Sequence, residues 1–124
     1  GTDSAESMDY PDVAIPLAQE VAAGGFDFGI LICSNGVGPS IAANKVHNVR
    51  AAVCHDVFSA KRAREHTNVN VLCMGAWAIG RGHASEIMRA FRTASFDGGE
   101  RNVRRLGKVQ ALDDAMHSAA SSQA

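Results

Sequence analysis

Short apolar runs alternate along the chain with longer stretches of helical spacing. Phe28-Gly29-Ile30-Leu31-Ile32-Cys33 is brief and rich in branched side chains, and reads as a strand buried on both faces. Arg50-Ala51-Ala52-Val53-Cys54 reads as a second short buried strand, and Val69-Asn70-Val71-Leu72-Cys73-Met74 as a third that ends at Gly75. Helices are expected between them, from Pro39 to near Val46 and from Val57 to Glu65. Upstream, Asp9-Tyr10-Pro11-Asp12 predicts a turn into a helix that runs to about Ala23 and closes at Gly24-Gly25. Pro16 fits that helix without a kink only if it starts near Asp12. Downstream, Ala84 to Thr93 places Ile87, Met88 and Phe91 on one helical face, and Gly98-Gly99 breaks the pattern. Arg101 to about Met116 is a last amphipathic helix with Val103, Leu106, Val109 and Leu112 as its stripe, and Ser118 to Ala124 reads as a frayed tail.

This alternation predicts an α/β fold, a parallel sheet with helices on both faces. Ligands of such sheets bind beyond the carboxyl ends of the strands, which puts Cys33-Ser34, His55-Asp56 and Gly75 on the ligand edge. The final helix has little sheet left to cover, so its stripe is expected to meet a partner subunit.

Composition narrows the class. With 124 residues and 46% hydrophobic content, the chain reads as one domain spanning residues 1–124 with a core of its own. A net charge of −1 gives no overall field for nucleic acid or a membrane surface, and no window approaches the roughly 18 apolar residues of a membrane span. Three cysteines, odd in number and without a CxxC, point to free thiols in a reducing compartment, read as cytoplasmic.

The chemistry gathers behind the first strand. Ser34-Asn35-Gly36-Val37-Gly38 is a polar, glycine-rich turn, and Pro39 presets the first turn of a helix. Strand, turn and helix N-terminus together form a nest of backbone N–H groups suited to an anionic atom. Cys33 stands at its rim. A free cysteine is usually a core residue, but a thiol facing a helix N-terminus has a lowered pKa and acts as base or nucleophile. Cys54 and Cys73 read as structural. The turn matches neither GxGxxG nor GK[ST], so a small oxyanion is expected rather than a bound nucleotide. His66 closes a helix, where a capping histidine and a functional one are both open readings. Arg101 and Arg105, four apart, share a helix face; a solvated basic face and a clamp for a phosphate monoester both fit.

The run GILICSNGVGPSIAANKV and the segment VRAAVCHDVFSAKRAREHTNVNVLCMGAWAIG closely resemble the ribose-5-phosphate isomerase type B family, which includes the galactose-6-phosphate isomerase subunits. DYPDVAIPLAQEVAAG and GGERNVRRLGKV extend the resemblance over roughly Ser7 to Val109. It implies a Rossmann-like three-layer αβα sandwich with a mostly parallel sheet, dimers or tetramers with active sites shared between subunits, and no metal or organic cofactor. The implied reaction interconverts an aldose phosphate and a ketose phosphate through a cis-enediolate. Cys33 would be the base, the N–H groups of Ser34, Asn35, Gly36, Val37 and Gly38 would hold the enediolate, and His66 would open the ring from across the dimer. Thr67 would join the substrate site, and Arg101 with Arg105 would bind phosphate.

The chain also departs from that pattern. The family's opening strand and Asp-His pair have no counterpart, so an N-terminal βα unit is expected to be absent and a sheet edge unpaired. Asn35 stands for the usual Thr, Thr67 for the usual Asn, and Trp77 for a frequent arginine, while Glu100 looks inserted ahead of Arg101. These changes leave a tetrulose phosphate or an unphosphorylated sugar as the alternative substrate, and a non-catalytic sugar-phosphate-binding subunit as the alternative role.

Overall fold

The structure, a computed structural model, describes residues 3–122. Eight elements follow in order: α1 (Tyr10–Ala22), β1 (Gly29–Cys33), α2 (Val37–Ala43), β2 (Ala51–Val53), α3 (Val57–Thr67), β3 (Val71–Gly75), α4 (Arg81–Thr93) and α5 (Glu100–Ser122). The three strands are parallel and lie in the order β1-β3-β2, with Gly29 beside Val71, Cys33 beside Gly75 and Ala51 beside Val71.

The centre of the sheet is therefore β3 and not β1. All five residues of β3 are buried, and their side chains alternate between two cores. Val71 and Cys73 pack with Ala14 and Ala18 of α1 and Ala42 and Ala43 of α2; Leu72 and Met74 face Ala60 of α3 and Ile87 and Phe91 of α4. These are the three layers of an αβα sandwich. The expectation that the Phe28–Cys33 run is buried on both faces is corrected: β1 pairs on one side only, and Ile32 is 58% exposed. An apolar run reports burial on average, not its place in the sheet. The Arg50–Cys54 strand shrinks likewise to Ala51–Val53, all half-buried at the opposite edge.

Helix ends shift for local reasons. α1 starts at Tyr10, with Asp9 at the N-cap and Pro11 in the first turn, so Pro16 lies inside it and removes the N–H that Asp12 C=O would accept. α3 starts at Asp56, whose Oδ1 accepts the Ser59 N–H at 2.7 Å and whose Oδ2 accepts the Ser59 hydroxyl at 2.7 Å. It runs past the expected Glu65 to Thr67 and stops at Asn68, which takes a left-handed φ of 47°.

α5 continues through Ser118, where a frayed tail was expected, to Ser122; residues 123 and 124 lie outside the described part of the chain. Polar contacts fasten it to the turn after α2: Asp113 Oδ2 accepts the Asn48 N–H at 2.8 Å, and Gln110 donates to Asn48 Oδ1 at 2.8 Å. Its apolar stripe stays largely uncovered, with Val103 52%, Val109 58% and Leu112 63% exposed. A groove of about 840 Å³ runs beneath α5, lined among others by Val49, Ala52, Leu106 and Leu112.

Candidate active site

The carboxyl edge of the sheet is assembled by backbone. Ala76 N–H donates to Cys33 C=O at 2.7 Å and Trp77 N–H to Ser34 C=O at 3.1 Å, which locks the end of β3 against the end of β1. Only glycine fits at position 75, because a Cβ there would lie 2.5 Å from Asn35 Cα and 2.6 Å from Ser34 O. Gly36, at φ +80°, is the left-handed cap that turns the chain into α2.

Two N–H groups of that turn are hydrogen-bonded within it. Gly36 N–H donates to Cys33 Sγ at 2.9 Å, and Val37 N–H to Asn35 Oδ1 at 3.0 Å, with the Cys33 thiol 3.9 Å from the same Oδ1. The N–H groups of Ser34, Asn35 and Gly38 have no protein acceptor among the described residues. Of the five N–H groups expected to face substrate, two are therefore spent locally, on the thiol and on the Asn35 side chain. Three free donors beside a half-buried sulfur can hold an oxyanion next to a proton acceptor.

The other cysteines are separate in kind. Burial pushes the Cys54 thiol up to about 11 and the Cys73 thiol up to about 12, so both stay protonated and unreactive.

His66, Thr67, Arg101 and Arg105 lie elsewhere. His66 is exposed near the end of α3, and Arg62 Nη1 donates to its Nε2 at 2.9 Å. Thr67 spends its hydroxyl on Ala63 C=O at 2.8 Å. The α4–α5 connection folds back onto this end through Asp97 N–H to Glu65 C=O at 2.7 Å. It thereby brings Arg101 and Arg105 together with His66, Asp97 and Asn102 around an open cavity of about 360 Å³. Neither arginine has a salt-bridge partner among the described residues, whereas Arg104 points away to Glu100 at 3.8 Å. Glu100 borders the same cavity, but its side chain is 93% exposed and is paired with Arg104.

The two groups occupy opposite edges of the sheet. α3 returns from the carboxyl end of β2 to the amino end of β3, so His66 lies on the amino edge while Cys33 lies on the carboxyl edge. The five residues of β3 between those edges span roughly 16 Å. One chain brings His66, Arg101 and Arg105 together and does not bring them to Cys33.

His55, to which the sequence assigned a place on the ligand edge but no role, is found at the carboxyl edge: its Nε2 accepts the Gly75 N–H at 2.8 Å. Its position at the end of a strand was the available signal. Trp77, 89% exposed, follows directly on the same rim.

Fold and rim together define an α/β protein with free backbone N–H groups beside a thiol at the carboxyl edge of a parallel sheet. Residues 1–109 match the Ribose/Galactose Isomerase family, and the chain belongs to that family of sugar-phosphate isomerases. It is 49% identical over 108 residues to the putative sugar phosphate isomerase YwlF of Bacillus subtilis, covering 87% of this chain and 72% of that protein. It is 48% identical over 94 residues to the D-erythrulose-4-phosphate isomerase of Pectobacterium atrosepticum, covering 76% of this chain and 62% of that one. Among solved structures, the type B ribose 5-phosphate isomerase of Trypanosoma cruzi superposes with a TM-score of 0.90 at 44% identity, over 93% of this chain and 77% of the other.

Proposed function

We propose that the protein is a cofactor-independent aldose–ketose isomerase of a sugar phosphate, with ribose 5-phosphate and ribulose 5-phosphate as the first substrate pair. The observation that carries this reading is the sulfur of Cys33 on one rim with the free N–H groups of Ser34, Asn35 and Gly38. Isomerisation moves a proton between C1 and C2 and builds negative charge on the adjoining oxygens. A thiolate supplies the base, and pre-aimed N–H groups stabilise the enediolate without reorganising. His66 opens the sugar ring, and the unpaired Arg101 and Arg105 receive the phosphate.

The working site is shared between subunits. Each chain holds the base on one edge and the ring-opening and phosphate groups on the other, and the exposed stripe of α5 offers an apolar contact for a second copy. A homodimer, alone or doubled into a tetramer, meets this requirement. Three free thiols fit a cytoplasmic enzyme, and no described helix is long and apolar enough to cross a membrane.

Trp77 favours a second substrate reading. An exposed aromatic on the rim beside Ser34 supplies no charge and a flat apolar face, which suits a shorter ketose such as a tetrulose phosphate. NMR in D₂O against a panel of phosphorylated and free pentoses and tetroses tests both. Deuterium entering C1 or C2 of one sugar identifies enediolate chemistry and its substrate. No exchange with any of them in a folded sample means a non-catalytic binding subunit.

A further inference from the structure

At the far end of the groove that His66 and Arg105 also line, the turn after α2 meets one face of α5 in a cluster of imidazoles and carboxylates. We propose that His47, Asp113 and His117 form a site for a divalent transition-metal ion that fastens α5 to the body of the domain. One ligand atom from each lies within 4.8 Å of the others. Two donors each about 2.1 Å from one ion sit at most about 4.2 Å apart, so the remaining closure is within reach of a side-chain torsion.

The supporting shell is already in place. Asp113 and His117 are one helical turn apart on α5, and Asp113 keeps Oδ2 on the Asn48 N–H while Oδ1 lies 3.1 Å from His117 Nδ1. His47 reaches Asp114 Oδ1 through Nε2 at 2.8 Å. A carboxylate so placed fixes the tautomer and leaves the lone pair on Nδ1, as behind many metal-bound histidines. The rings of His47 and His117 stack at 4.6 Å and 15°, which presents both from the same side.

His117 shows what the ion replaces. Its Nδ1 lies 2.9 Å from Asp113 C=O and its Nε2 3.1 Å from Lys45 C=O. Two acceptors on one ring favour a proton on each nitrogen, and the Asp113 and then the Lys45 carbonyl raise the His117 pKa from its ordinary value. Binding exchanges one of those protons for the metal: one nitrogen–metal bond forms and one proton leaves to solvent. Asp113 and Asp114 supply negative charge. Arg50 opposes it near Asp113, and is held toward Asn68, whose C=O accepts its Nε–H at 2.7 Å. Two imidazoles with one carboxylate select zinc, cobalt or nickel over magnesium or calcium, which prefer all-oxygen sets. Three protein ligands leave a fourth position for water.

The test is calorimetric titration of Zn²⁺ into an untagged Cys33→Ser chain, so that the exposed thiol does not compete, with Co²⁺ absorption as a second readout. One ion per chain is expected, with a proton released, and Zn²⁺ raises Tm. His47→Gln and His117→Gln each weaken binding by at least about 10-fold and abolish the Tm shift. Asp113→Asn, which retains an acceptor for Asn48, gives the same loss if a histidine variant fails to fold. No binding below about 1 mM, or equal affinity in these variants, overturns the site and assigns any bound ion to the other histidines. The outcome is independent of isomerase activity.

Discussion

The Gly36 N–H lies 2.9 Å from Cys33 Sγ, which ties the candidate base to the residue that starts α2. That bond fixes the sulfur on the same rim as the N–H groups of Ser34, Asn35 and Gly38, which have no acceptor among the described residues. Replacing Cys33 by Ser leaves the backbone cradle intact and removes a competent base. Turnover is expected to fall by at least about 10²-fold with the fold unchanged by circular dichroism. A Cys33→Ala chain with undiminished turnover rejects the assignment.

The three thiols differ sharply in reactivity by position alone. Cys33 is half-buried on the rim, whereas burial pushes the Cys54 thiol pKa up to about 11 and that of Cys73 up to about 12. Timed alkylation at mildly alkaline pH, followed by peptide mass spectrometry, should label Cys33 alone in the native chain and all three in denaturant. Equal labelling of Cys73 in native protein contradicts the buried centre of the sheet.

Asp56 gives a pH signature to stability. Its carboxylate is held below the ordinary value of 3.8 by the Ser59 N–H and then by the Ser59 hydroxyl. A depressed carboxylate stabilises the fold above its unfolded pKa and loses that contribution as pH falls through the folded one. Denaturant unfolding of the parent and of Asp56→Asn should therefore differ by a constant amount from about pH 7 to about pH 5 and converge below about pH 4. A gap that persists unchanged as pH falls from about 5 to about 2 rules out the charged cap as its source.

Much of this fold was legible because local chemistry and global layout agree. The strand–helix alternation, the glycine turn after Cys33 and the apolar stripe of α5 all survive, and the carboxyl-edge placement of Cys33, His55 and Gly75 holds. Sheet order was not legible: the run at Ile30–Ile32 is more strand-like than Val71–Met74, yet β3 took the centre because it pairs on both sides. The separation of Cys33 from His66 was implied only by the family resemblance, since it follows from α3 reversing direction and not from either residue. The bond from the Gly75 N–H to His55 was not legible, because one histidine at a strand end carries no spacing signal.

Arg101 and Arg105 separate a phosphate clamp from a solvated basic face. Both are exposed, lack a salt bridge among the described residues and border the cavity with His66. Arg101→Ala should raise KM for the phosphorylated substrate by about 10-fold or more and leave kcat within a few-fold, the pattern of lost ground-state binding. Steady-state kinetics on phosphorylated and free sugars decide it: an equal KM change for both removes the clamp.

The opposite placement of Cys33 and His66 makes a prediction that no single-chain site shares. If each site takes its base from one subunit and its ring-opening group from the other, Cys33→Ala and His66→Ala chains are each inactive as homodimers. Their mixed dimer has one site with both residues mutated and one with both intact. Unfolding and refolding the two variants together at equal ratio makes half the dimers mixed, so activity should return to roughly a quarter of the parent's per chain. Separately refolded samples combined afterwards should stay inactive until subunits exchange. No recovery in refolded mixtures that native mass spectrometry shows to contain the mixed dimer would place Cys33 and His66 in the same subunit's site, and would require the α3 end to move by most of the width of the sheet.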